Sequence, residues 1–190
     1  MTNEAYWSSR YKNQQTAWDI GDPSGPLIHL FEKIEDKNLK ILIPGCGNAY
    51  EADYLFQKGF RNVSIMDVSI EPLNVFRERN NDFPEHHILH ENFFNHKGQY
   101  DLIIEQTFFC AIDPEMRQDY VKKCHELLKE KGKLIGVLFD REFIGGPPFG
   151  GNKRDYLKLF KSHFNEVLIH KCDHSIKPRM GFEVLLQCSN

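Results

Sequence analysis

Two glycines and an acid carry the strongest chemical signal in this chain. Gly45 and Gly47 interrupt a run that begins Leu39-Lys-Ile-Leu-Ile-Pro and ends Asn-Ala-Tyr-Glu51. Before them, Ile41 and Ile43 alternate at strand spacing. After them, Ala49, Ala52, Leu55 and Phe56 read as one helix face that stops at Gly59. Strand, glycine turn and helix in that order let a backbone approach a ligand closely, and they offer free N–H groups at the helix start. Asp67 ends the next apolar run. It lies about twenty residues past the glycines, where a carboxylate meets ribose hydroxyls in nucleotide-binding α/β folds. Tyr50 stands where a dinucleotide fingerprint has its third glycine. A bulky residue there crowds a pyrophosphate but leaves room for a nucleoside cofactor without phosphates. The alternative is a tight turn with no ligand.

These residues need a sheet to hold them. Residues 62–67, 88–89, 100–105 and 133–139 read as strands, and the spacing places helices over 26–36, from Ser69 to about Asn80, from Pro114 to Lys131-Gly132, and over 154–163. Strands alternating with helices predict a doubly wound, mostly parallel sheet. Two closing strands, near 166–171 and 181–188, follow one helix and suggest an antiparallel terminal pair. Ligands in such sheets sit beyond the carboxyl ends of the strands. The Gly45 turn, Asp67, Asn92-Phe93, Gln106-Thr107 and the breaker-rich loop 145–148 all fall there. Ahead of the sheet, Trp7 and Tyr11 share a helix face and Trp18 follows. This segment, residues 1–22, reads either as a strap packing aromatics on the core or as a lid whose ring faces meet a cationic methyl donor.

Composition narrows the class. With 190 residues, 41% of them hydrophobic and 27% charged, the chain suits one folded domain, residues 1–190. A net charge of −3 with no long Lys/Arg cluster gives no case for nucleic acid. No apolar run is long enough for a membrane span, and no signal peptide is visible. Five scattered cysteines without a Cys-x-x-Cys pair read as reduced thiols in a cytoplasmic protein. Cys46 and Cys110 flank the presumed cleft and read as small apolar packing rather than nucleophiles. His86, His87, His90 and His96 crowd one region without the companions a metal site requires, so no metal is expected.

Placed together, these pieces resemble the thiopurine S-methyltransferase family, most closely its halide and thiol methyltransferase branch. The resemblance rests on Trp7-x-x-x-Tyr11 with Thr16-Ala-Trp-Asp19, Ile43-Pro-Gly-Cys-Gly47, Met66-Asp-Val-Ser69 and Tyr100-Asp-Leu-Ile103. It continues through Phe108-Phe-Cys-Ala-Ile112, Pro114-Glu-Met-Arg117 and Gly145-Gly-Pro-Pro-Phe149. It implies a class I methyltransferase fold, Rossmann-like, with a seven-stranded mostly parallel sheet and a reversed last strand. It also implies S-adenosylmethionine as cofactor and S-adenosylhomocysteine as product. By position, Trp7, Tyr11 and Trp18 line the methionine end, Gly45 admits the cofactor's amino-acid part, and Asp67 takes the ribose hydroxyls. Asn92 and Phe93 border the adenine, and Gln106 faces the reacting centre. Gln106 departs from the tyrosine of the halide branch and the arginine of thiopurine enzymes.

The expected reaction is in-line methyl transfer to a small-molecule thiol, halide or other soft nucleophile, by a monomer. Such a displacement asks for alignment and exclusion of water more than for an acid–base pair. Gln106, Phe108, Phe109 and the 145–149 loop are expected beside the methyl, favouring iodide, bisulfide or small thiols over chloride and thiopurines. Asp140 and Glu142 read as surface loop acids. A nicotinamide-dependent oxidoreductase on the same sheet, or a non-catalytic nucleoside-binding module, is the competing reading.

Overall fold

In the computed structural model, which describes residues 3–190, the apolar run before the glycine turn forms β1 (Ile41–Pro44), buried along its whole length. Burial on both faces is what a central parallel strand requires, and it explains the unbroken apolar run. Around it stand β2 (Val63–Asp67), β3 (Ile88–His90), β4 (Tyr100–Gln106), β5 (Leu128–Phe139), β6 (Glu166–Lys171) and β7 (Glu183–Ser189). All seven join one sheet in the order β3-β2-β1-β4-β5-β7-β6. The first five run parallel, and β7 lies antiparallel between β5 and β6. The expected fold is therefore the observed one.

Helices cover both faces. α2 (Gly25–Phe31), α3 (Tyr50–Gln57) and α4 (Ile70–Arg79) pack on one apolar layer containing Leu27, Phe31, Ile41, Ile43, Leu55 and Phe76. α5 (Arg117–Leu127) and α6 (Lys153–Phe160) pack on the other, with Leu42, Ile103, Tyr120 and Phe160. Ile41 and Ile43 face the first layer and Leu42 the second, as strand alternation dictates. Chain order reverses direction between β1 and β4, which opens a crevice at their carboxyl ends. α1 (Glu4–Lys12) packs beside the start of α4, with no buried residue of its own.

Several boundaries differ from the sequence expectation. The helix expected to reach Asp36 ends at Phe31, where tighter turns bring Lys33 N–H to Leu30 O and Ile34 N–H to Phe31 O. Pro114 opens a short 3-10 turn, and α5 proper runs from Arg117 only to Leu127. Leu128 pairs with Tyr100 at once, so residues 129–132 form an irregular stretch of β5 rather than a helix end. Lys129 accordingly pairs with Asp101 at 2.8 Å, and the 129–133 charges lie on a strand. Ser69 caps α4 without a side-chain bond to it; its Oγ meets Ser8 instead. Among the described residues, no helix is long and apolar enough to cross a membrane.

Candidate active site

A cavity of about 570 Å³ opens at the carboxyl ends of β1, β2 and β4, over the crevice. Every residue expected to hold the cofactor lines it: Trp7, Tyr11, Trp18, Gly45, Asp67, Asn92, Phe93 and Gln106. Its size is that of sites for organic cofactors. A second cavity of about 340 Å³ lies beside it, walled by Phe139, Phe143, Pro147, Pro148 and Phe182. The two share five lining residues: Trp7, Trp18, Thr107, Ala111 and Arg179.

Asp67 is 7% exposed and sits at the end of β2. Its Oδ2 accepts the Gly47 N–H at 3.0 Å and its Oδ1 accepts the Ser69 N–H at 2.9 Å. The carboxylate thus ties the glycine turn to the start of α4. Each oxygen keeps a lone pair for a further donor, as a ribose hydroxyl would be. Burial pushes the Asp67 carboxyl up, while the Ser69 and Gly47 N–H groups hold it down.

Gly45 lines the larger cavity. It has φ of +56°, which favours glycine. A Cβ there would collide with the Phe108 ring, so only glycine lets the turn pack under that side chain. At Gly47 (φ +53°) a Cβ would come within 2.9 Å of the Tyr11 hydroxyl, so this glycine admits the strap. The fit of a nucleoside cofactor rests on the cavity itself and its donor set. Asp67 offers acceptors, the aromatics offer faces, and Gln106 Oε1 is buried with no hydrogen-bond partner among the described residues.

The strap, residues 3–24, roofs both cavities; residues 1 and 2 of the expected lid lie outside the described residues. Trp18 packs edge-on against Trp7 at 5.4 Å and against Tyr11 at 5.7 Å. Polar contacts clasp it to the body. Ser8 Oγ meets Ser69 Oγ at 2.9 Å, and Lys12 pairs with Glu71 at 3.0 Å. Asp19 accepts from Asn48 Nδ2 and, at 3.4 Å, from Tyr50 O–H. Arg179 donates to the Trp18 carbonyl at 2.7 Å.

Beyond β4 the chain turns at Thr107, whose φ is +60°. The turn sends Phe108 to the larger cavity and Phe109 into the core, where it packs on Tyr120, Tyr156 and Phe160. Phe109, expected beside the methyl, therefore lines neither cavity. Glu105 holds this turn. Its Oε1 accepts both the Phe108 and Phe109 N–H groups at 2.9 Å, and its Oε2 accepts the Tyr120 O–H at 2.7 Å. Burial pushes the Glu105 carboxyl up to about 7. The Gly-Gly-Pro-Pro-Phe loop is held from behind by Arg117, which donates to the Phe149 and Gly150 carbonyls at 2.9 and 3.0 Å. Pro147 and Pro148 then wall the second cavity.

Cys46 lines the first cavity and Cys110 the second. Burial raises the Cys46 thiol well above its usual range and pushes Cys110 up to about 12, so neither supplies a thiolate. Asp140 and Glu142 are exposed. Among the described residues, no three His, Cys, Asp or Glu side chains converge as metal ligands. His96 instead bridges Glu91 and Tyr100, at 2.8 Å to each.

Sequence reasoning missed Arg179. Its side chain is 12% exposed, backed by Glu183 at 3.5 Å, and it lines both cavities. Nothing in the local sequence marks it, because its partners come from the strap and from β7. Glu51, 6% exposed on the first turn of α3, was also passed over. It lines the larger cavity and accepts the Ser24 N–H at 2.9 Å.

Comparison with known proteins agrees with this fold. Residues 2–184 match the thiopurine S-methyltransferase family. A probable thiol methyltransferase 2 of Arabidopsis thaliana is 31% identical over 186 residues, covering 94% of this chain and 82% of that protein. A thiocyanate methyltransferase 1 of the same plant is 29% identical over 189 residues, covering 96% and 83%. Among solved structures, the Burkholderia thailandensis 1,6-didemethyltoxoflavin-N1-methyltransferase, with bound S-adenosylhomocysteine, superposes with a TM-score of 0.73. It shares 15% identity, with 98% of this chain and 87% of that one covered.

Proposed function

From the premise that this chain belongs to the thiopurine S-methyltransferase family, we propose that its two cavities divide one methyl transfer between them. The enzyme is an S-adenosylmethionine-dependent methyltransferase of small molecules. In our reading the larger cavity takes the cofactor and the smaller takes a thiol or related soft nucleophile. One observation carries this assignment: the cavities share the wall formed by Trp7, Trp18, Thr107, Ala111 and Arg179, so a group can pass between their occupants there. A dinucleotide suits the larger cavity less well, because Tyr50 lines it at the first residue of α3.

When bound, S-adenosylmethionine supplies an activated methyl on a sulfonium sulfur. Asp67 accepts the ribose hydroxyls while its backbone bonds keep the glycine turn in place. Asn92 and Phe93 border the base. Trp7, Tyr11 and Trp18 turn aromatic surface toward the sulfonium charge, an attraction that strengthens as water is excluded. Gln106, whose Oε1 has no hydrogen-bond partner among the described residues, lines the same cavity. At the shared wall, the Arg179 guanidinium favours a thiolate over a thiol, because a nearby cation stabilises the charged form. The acceptor then arrives already ionised, its proton left to solvent, and no side-chain base is needed. Strap and proline loop exclude water from the nucleophile, and alignment does the rest.

The test is an acceptor screen with methyl-labelled S-adenosylmethionine over iodide, thiocyanate, bisulfide, alkyl thiols and aryl thiols. Label should appear in at least one soft nucleophile. Tight cofactor binding with no labelled product from any of them would refute the reading.

A further inference from the structure

We propose that His96 is a positioning residue for the base end of the larger cavity. It holds the Glu91 carboxylate at the rim, where that group selects a base whose edge carries an amino group. The inference rests on the methyltransferase reading and deepens it by naming what fixes the choice of base.

The loop after β3 starts at the edge of the sheet. β3 has three residues and stands first in the strand order, and among the described residues it pairs with β2 alone. Glu91, Asn92 and Phe93 follow it and line the larger cavity. Two of the three have restraints of their own. Phe93 is buried and packs on Phe108 and Tyr120, with ring centres 5.4 Å away in each case. Asn92 turns its Oδ1 to the Phe94 N–H at 2.9 Å. Glu91 is exposed, and its backbone N–H meets the Asp67 carbonyl at 3.2 Å. A carboxylate on a flexible stem loses rotamer freedom when it is ordered, so its direction has to be enforced by a partner.

His96 is that partner. Its Nδ1 lies 2.8 Å from Glu91 Oε2, and its Nε2 lies 2.8 Å from the Tyr100 hydroxyl. The carboxylate only accepts, so Nδ1 carries the hydrogen and Nε2 accepts the Tyr100 O–H. His96 and Tyr100 are both buried, and Tyr100 is the first residue of β4. The chain from Tyr100 through His96 to Glu91 therefore ties the edge loop to a strand inside the sheet. Gly98 lets it form, because a Cβ there would come within 2.9 Å of the Tyr100 ring and 3.2 Å of His96 Nε2. The imidazole takes one site on the carboxylate and leaves others for a ligand donor. An amino group on the base edge is such a donor. An oxo group offers only lone pairs to the same carboxylate and is rejected.

The experiment measures, by calorimetry, the affinities of S-adenosylhomocysteine and S-inosylhomocysteine, which carries an oxo group in place of the amino group. The native protein should prefer the adenosyl compound by roughly tenfold or more, the equivalent of one well-placed hydrogen bond. His96→Leu should reduce the preference to roughly threefold or less. His96→Asn keeps an N–H donor near the place of Nδ1 and should restore most of it. If His96→Leu does not fold, Tyr100→Phe, which removes one of the two bonds to the ring, is read in the same way. A preference unchanged in the variant overturns the inference, even where both affinities fall together, because a merely structural histidine would act on both alike. Equal binding of the two compounds by the native protein also overturns it and leaves the methyltransferase reading intact. Failure of the native protein to bind S-adenosylhomocysteine at all refutes that reading, and the inference with it.

Discussion

Glu105→Gln replaces a buried carboxyl with an amide of nearly the same shape. Glu105 is 1% exposed, and it receives three hydrogen bonds, from the Phe108 and Phe109 N–H groups and from the Tyr120 O–H. Those donors favour the charged form, yet burial outweighs them and raises the carboxyl from 4.5 to about 7. The sign follows from linkage. A carboxyl with a raised folded pKa contributes stability that is complete below its unfolded pKa and is lost as pH rises through the folded value. The shift from 4.5 to about 7 corresponds to roughly 3 kcal/mol, of which some 2–3 kcal/mol disappears between about pH 5 and pH 8. Glutamine has no charge to bury. Its Oε1 keeps both backbone N–H bonds, and the Tyr120 hydroxyl rotates to accept from Nε2. Urea unfolding of both proteins across that pH range checks this. The variant gains on the native protein as pH rises, which at roughly 2–4 °C per kcal/mol moves the difference in Tm by about 5–10 °C. A difference that does not vary with pH would refute the assignment. So would a variant that loses ground at high pH, since the donors would then dominate over burial.

Three further outcomes follow from the site. Asp67→Asn lowers S-adenosylhomocysteine affinity by roughly 1.5–3 kcal/mol, the value of charged hydrogen bonds, and it lowers Tm as well, because one of two backbone N–H groups loses its acceptor; calorimetry showing unchanged affinity beside a lowered Tm would make Asp67 purely structural. Gln106 lines the larger cavity, and on the proposal that its amide faces the reacting centre, Gln106→Leu reduces turnover more than cofactor affinity; equal losses in both would move Gln106 to the cofactor alone. Arg117→Lys can bond only one of the Phe149 and Gly150 carbonyls. It should cost about 1–3 kcal/mol of stability and raise the acceptor KM with cofactor affinity unchanged, and a rise in the cofactor Kd alone would refute the link between this arginine and the acceptor wall.

What was legible in the sequence was local. The strand–turn–helix around Gly45, the acid at Asp67 and the alternation of strands with helices depend on neighbours within a few dozen residues, and each reappears in the structure. The larger cavity's residues were legible because strand ends converge in any doubly wound sheet. Other features depend on distant partners. Phe108 and Phe109 are adjacent and identical in type; which one faces the cavity is decided by the Thr107 backbone and by Glu105 beneath it. The end of α5 was misplaced because residues 129–133 are polar and carry no apolar alternation, although Leu128 already pairs with Tyr100. Arg10, Arg141 and Arg179 lie far apart in the chain, and only the fold gathers them around one cavity.

The position of β7 has a consequence for how the molecule assembles. β6 precedes β7 in the chain, yet among the described residues β7 is its only neighbour in the sheet. Glu166–Lys171 therefore has no backbone partner until Glu183–Ser189 has slotted in beside β5. During that interval six residues, with Val167 and Ile169 on one face, expose unpaired N–H and C=O groups of the kind that capture strands from other copies. Pairing with β7 removes the hazard on one side only, since β6 ends the sheet as an edge strand. Arg179 lies in the connection between the two strands. The cation at the shared wall thus arrives with the sheet's last pairing, so a chain that stalls before it can bury most of its core and still lack a working site.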